Sequence, residues 1–196
     1  MCMALDYAGY HFPPGYFKQP EDNLGKFIME DPEIDAYYKK ISMYYDDWRK
    51  GIKGCYTPIE IHDVLSYGTN KWLGKQVTAF SMSMPIDSIF EEIIEKDLPV
   101  ILSGKFPNKA GEEPKLNHIN VLVGAIYTKQ DTVQRSIASM PESVIIDDPY
   151  GEVGNYVSGK SGNNVIVPFN KFLDWYKPVG ETRFKWAHVI TSKYKA

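Results

Sequence analysis

Cysteine is scarce in this chain: Cys2 and Cys55 are the only two among 196 residues. Two thiols cannot build a disulfide framework, and they supply no paired ligand sets of the zinc-binding kind. Synthesis in a reducing compartment and a fold held by its own core follow. No apolar run approaches the ~20 residues of a membrane-spanning helix. The first residues, Met1-Cys2-Met3-Ala4-Leu5-Asp6, lack the basic and apolar regions of a signal peptide, so the chain reads as made in the cytoplasm without one. Positive charge is not in excess either. Lys and Arg number 22 against 25 Asp and Glu, for a net charge of -3, which argues against non-specific binding to nucleic acid. Repeats and low-complexity segments are absent. Gly159-Lys160-Ser161-Gly162 lacks the earlier glycine and the following helix of a phosphate loop, so no cofactor is expected.

What is present is the composition of a folded domain, 43% hydrophobic and 14% aromatic, with 14 tyrosines. The length suits one domain spanning 1–196 with a sizeable core. Residues 1–7 read as the tail of a helix stopped by Gly9. Residues 21–30, 32–50 and 57–68 carry apolar residues at helical spacing, the last opened by Thr57 and Pro58. Pro85 opens the clearest helix, with Ile86, Ile89, Phe90, Ile93 and Ile94 on one face. From residue 98 the pattern changes to strands, at 98–102, 119–127, 144–146, 165–167 and 184–190. A helical part (1–97) followed by a sheet part (98–191) is an α+β arrangement, helices packed against a largely antiparallel sheet.

Two strand segments carry ionisable residues at one end. Leu116-Asn117-His118-Ile119-Asn120-Val121-Leu122-Val123-Gly124 opens near a histidine. Val144-Ile145-Ile146-Asp147-Asp148-Pro149-Tyr150-Gly151 closes on two aspartates. If these strands are neighbours, an imidazole meets a carboxylate, which is the base half of a nucleophilic triad. Successive strand residues face opposite ways, so only one of Asp147 and Asp148 can readily reach His118.

The order of motifs resembles the papain-fold cysteine peptidases related to bacteriocin-leader-processing peptidases. It runs from a helix ending Met-Ala-Leu-x-Tyr-x-Gly, through an amphipathic helix and Leu-Pro-Val-Ile, to His-x-x-Val-x-Val-Gly and Ile-x-Asp-Pro-Tyr-Gly. The resemblance implies a papain-like fold and hydrolysis of a peptide or amide bond, with His118 as general base and Asp148 as the acid that orients it. Asp147 is the competitor. Phage-encoded and cell-wall-lytic relatives imply a peptide or peptidoglycan substrate, in the manner of an endolysin. In that family a cysteine opens the first helix, where the helix N-terminus lowers thiol pKa and donates to an oxyanion. Aligning Leu5 and Tyr7 places that cysteine roughly five residues before Met1, more than one helical turn away.

The chain is thus expected to lack its nucleophile or to use a substitute. Cys2 lies down the helix, where an inert buried thiol is the expectation. Cys55 precedes a capped helix, but His118 follows only 63 residues later. The alternative is a peptide- or glycan-binding module without catalysis. His62, flanked by Glu60 and Asp63, matches no zinc-binding spacing and reads as part of a solvated helix face; no metal is expected. His188 reads as a structural strand residue and the second candidate for the base, and His11 as a loop residue. Tyr16, Tyr37, Tyr38, Tyr44, Tyr45 and Trp48 form an aromatic-rich region of helix packing with an exposed subset.

Overall fold

A computed structural model describes residues 1–42, 45–46, 60–106, 116–128, 140–148, 162–176 and 183–194. Among them the helices are α1 (Cys2–Tyr7), α2 (Pro20–Glu30), α3 (Pro32–Ile41), α4 (Glu60–Leu73), α5 (Ile86–Ile94) and α6 (Phe169–Tyr176). The strands are β1 (Thr78–Pro85), β2 (Val100–Phe106), β3 (Leu116–Ile126), β4 (Ser143–Asp147), β5 (Val165–Pro168) and β6 (Arg183–Ile190). They form one antiparallel sheet in the order β1-β6-β2-β3-β4-β5. The class is α+β.

Local chemistry sets the helix ends. Gly9, at φ 84°, takes the left-handed conformation that stops α1. Pro32 opens α3, and the Asp31 carboxylate caps it by accepting from the Glu33 and Ile34 amides, both at 3.0 Å. Lys71 of α4 bonds the same carboxylate at 2.7 Å, tying α4 to the start of α3.

Helices cover both faces of the sheet. On one face α5 and α6 bury Ile86, Ile89, Phe90, Ile93, Phe172 and Tyr176 against Val100, Leu102, Leu122, Val144 and Ile146. On the other, Ala4 and Leu5 of α1 pack on Ile101, Val121, Val123 and Ile190, with Leu73 of α4 alongside. A third, separate cluster joins the helices: Ile34 and Tyr38 of α3 meet Val64 of α4, with Phe27 and Ile28 of α2 against them.

Four expectations need correction, the first being one helix over 32–50: α3 ends at Ile41, where Ser42 turns extended at φ -120°, ψ 124°. The sheet begins at Thr78, before residue 98: β1 pairs with β6 along its length, from Thr78↔Ile190 to Pro85↔Arg183. Its Ser-Met-Ser-Met stretch has little β-branched signal, and as an edge strand it takes its order from its one neighbour. The helix α6 is an addition, short but with Phe169, Phe172, Leu173 and Tyr176 at helical spacing. Finally, α4 runs past Gly68 to Leu73 and stops at Gly74, φ 66°. Gly68 is a packing glycine, because a Cβ there would come within 2.6 Å of Ile28 Cγ1 and 3.3 Å of Ile34 Cδ1. Gly68→Ala is therefore expected to destabilise the protein by about 1–3 kcal/mol despite alanine's better helix propensity. A urea midpoint equal to or above that of the unsubstituted chain would show that the contact is looser than this. The expected helix start at Thr57 and Pro58, and Tyr44 and Trp48, lie outside the described residues.

Candidate functional site

The histidine strand and the aspartate strand are neighbours. β3 and β4 pair antiparallel, with Val121↔Asp147 and Leu122↔Ile146. Strand alternation then decides which side chains share a face. Leu122 and Ile146 point to the α5/α6 face. Asn120 does too, since its Oδ1 accepts from the Tyr176 hydroxyl of α6 at 3.0 Å. His118 and Asp148 fall on the same parity as these residues.

There the imidazole Nε2 and Asp148 Oδ1 lie 2.7 Å apart, with both residues buried. The partner of His118 across β2 is Gly104, which has no side chain to crowd the ring. Asp148 is anchored through its backbone, whose N–H donates to the Gly162 carbonyl at 2.9 Å. Asp147 is used elsewhere: its Oδ1 accepts from the Asn164 amide at 2.7 Å. It faces the α1 side, where its charge is one of the smaller influences on Tyr7. Burial first, then the carboxylate of Asp97, pushes that phenol upward.

A carboxylate accepting from Nε2 fixes the neutral imidazole as the Nε2–H tautomer. Nδ1 is then the basic nitrogen. A ring held so, in a buried site, is chemically equipped to take a proton from a nucleophile and return it to a leaving group.

Among the described residues no thiol stands at this ring. Cys2 is buried in α1, whose core contacts are Val121 and Val123, on the sheet face opposite His118. Burial pushes its thiol up to about 11, so at neutral pH it is the un-ionised, unreactive form. Cys55 lies outside the described residues, as do Pro149, Tyr150, Gly151 and the segment 159–161.

The other histidines fall differently from expectation. His11 is exposed, with its ring edge-on to Tyr194 at 5.6 Å. His62 is not on a solvated face. Its ring stacks on Phe80 at 5.2 Å and tilts against Trp186 at 4.2 Å, and its Nδ1 is 2.9 Å from Nε2 of His188. The helical apolar stripe of α4 runs through Ile61 and Val64, which made His62 look like an outside residue. A sheet packed on the other side of the helix reverses that. Tyr16 is exposed, Tyr37 half-buried and Tyr38 buried.

Asn120 and Tyr176 were not singled out from sequence. Asn120 lies two residues beyond His118 on one strand, which was a usable signal; Tyr176 belongs to a helix the pattern did not reveal. Among the described residues no group of three or more His, Cys, Asp or Glu is placed to hold a metal ion. No helix among them is long and apolar enough to cross a membrane. No family model, curated protein or solved structure matches this chain.

Proposed function

We propose that this chain carries the base half of a papain-like thiol hydrolase that cleaves a peptide or amide bond. The observation behind it is the 2.7 Å contact between His118 Nε2 and Asp148 Oδ1 at the ends of adjacent strands. In this reading His118 takes the thiol proton through Nδ1, the thiolate attacks the carbonyl carbon, and the same nitrogen protonates the departing amine. Asp148 holds the ring and stabilises the imidazolium that forms between those steps. Cys55 is the thiol this reading uses; a peptide or a peptidoglycan stem peptide is the substrate.

A second reading has its own support. Cys2 sits on the far face of the sheet with an un-ionised thiol, which favours a binding module that keeps the cleft without the nucleophile.

Labelling with an electrophilic thiol probe separates the two. For a hydrolase, one thiol labels selectively, Cys55→Ala removes that label while Cys2→Ala does not, and His118→Ala slows it at least tenfold. New amine termini then appear from peptide or purified cell wall and vanish in the same variants. If neither thiol labels selectively and no new terminus forms, catalysis by this chain is excluded.

A further inference from the structure

A second cluster of ionisable side chains lies far from the His118 pair in the sheet, on the opposite face. His188, on β6, is 1% exposed. Its Nε2 is 2.9 Å from His62 Nδ1, and its Nδ1 is 3.0 Å from Ser66 Oγ. His62 and Ser66 are one helical turn apart on α4. One turn further, Asn70 accepts from the Val77 and Thr78 amides at 2.8 and 3.0 Å and donates to the Thr78 carbonyl at 2.9 Å. Residues 62, 66 and 70 form one stripe of α4, and that stripe is polar throughout.

This is an unusual way to seat a helix on a sheet. Of the apolar side chains of α4, Ile61 and Val64 are spent on α2 and α3, in a cluster distinct from the two that line the sheet, and Leu73 at its C-terminal end reaches the cluster on the α1 face. The α2–α4 layer therefore has its own core. Hydrogen bonds carry much of its junction with β1 and β6, and among the described residues those with titrating groups are the ones made by the two imidazoles.

The proton count of that junction is tight. Neutral rings satisfy it: one N–H lies between the rings, and Ser66 serves as donor or acceptor for the other His188 nitrogen. One added proton leaves the contact with a donor and an acceptor but puts a full charge on the half-buried ring of His62 or on that of His188, which has almost no access to water. Two added protons set N–H against N–H across 2.9 Å. Among the described residues no carboxylate acts on either ring. The charged groups that bear on His188 are His62 from α4 and the α-amino group of Met1 from α1, and both oppose a proton. From β1 and β2 come Phe80 and Ile101, which are apolar. Asp63 and Glu60, beside His62 on α4, act on each other, and Asp63 acts on Tyr37 of α3.

We infer that the α2–α4 layer is an acid-released flap: protons taken up by the His62–His188 pair break its junction with β1 and β6, and the layer lifts as a unit while the α5/α6 side of the sheet stays folded. Burial holds both rings below the usual histidine range, in the direction such a device needs.

Hydrogen exchange of the full chain, followed peptide by peptide from pH 7 to pH 4 and corrected for intrinsic exchange rates, tests this. Protection of residues 60–73 is expected to fall by more than tenfold and up to about a hundredfold per pH unit below pH 6, one decade for each ring that takes a proton on opening, while residues 86–94 and 116–126 keep theirs. In His62→Phe, which retains the ring stack on Phe80 and Trp186 but binds no proton, the slope in 60–73 becomes shallower. In His188→Gln, which can still bond Ser66, it also does. Should a variant fail to fold, imidazole carbon shifts of the unsubstituted protein decide, since both rings must titrate over the pH range in which 60–73 opens. Constant protection of 60–73 down to pH 4, an equal loss in 86–94 and 116–126, or an unchanged slope in a folded variant would each overturn the proposal.

Discussion

His118→Ala is expected to lower the unfolding free energy by about 3–5 kcal/mol at neutral pH, the usual cost of stranding one partner of a buried pair. The substitution leaves the Asp148 carboxylate in a site where it is 3% exposed. A hydrogen bond to a buried carboxylate is worth more than one between neutral groups. Asp148→Ala is expected to cost less, about 1–3 kcal/mol, because the ring left behind can be neutral. The double variant His118→Leu/Asp148→Leu should recover much of the loss, since apolar residues of similar volume commonly replace a buried pair without penalty. Urea denaturation of the unsubstituted protein, the two alanine variants and His118→Ala/Asp148→Ala closes the coupling cycle, and the leucine double variant is measured beside it. Full additivity of the two single costs would mean that the 2.7 Å contact carries no coupling. A recovered double variant would mean that stability alone does not require the pair. Under the hydrolase reading that variant is also inactive, and Asp148→Asn, which disturbs the tautomer, slows turnover by about 10⁴-fold.

That pair was legible because β-branched strands advertise themselves and because alternation is arithmetic. Val121, Leu122 and Val123 on one strand, with Val144, Ile145 and Ile146 on the other, have no other good conformation, and parity separates Asp148 from Asp147. The partner strand and the register were not legible, because pairing is a tertiary choice. β1 escaped notice for the same reason: Ser81, Met82 and Ser83 are strand because β6 is beside them. The continuation of α4 past residue 68 was not legible because the sequence shows an absent side chain at Gly68 but not the Ile28 side chain that occupies its place. The role of His62 was hidden by a general property of helices with two partners. The apolar stripe marks only one buried face, and α4 buries a second face through His62, Ser66 and Asn70, which look like solvent residues until the acceptors and donors across from them are known.

The same hidden face sets the protein's response to acid. Burial, aided by the charge of His62, lowers His188 from 6.5 to about 3. The unfolded chain therefore binds a proton at this residue between pH 6.5 and pH 3 that the folded chain refuses. Stability rises with pH wherever the unfolded state holds more protons, so it is whole above pH 6.5 and declines as the solution is acidified toward pH 3. At 1.36 kcal/mol per pH unit the ceiling of this loss is about 5 kcal/mol. His62, lowered by burial, adds in the same direction. In urea denaturation between pH 7 and pH 4, His188→Gln is expected to start less stable than the unsubstituted protein and to lose less on acidification, so the two curves converge. Parallel curves would show that His188 is not the group responsible. Local release of the α2–α4 layer makes the ceiling unreachable: once α4 lifts, both rings take their protons from water, and the remaining sheet loses no further stability through them. Denaturation read at Trp175 on α6 should then flatten in acid, below the pH at which exchange in residues 60–73 has already become fast.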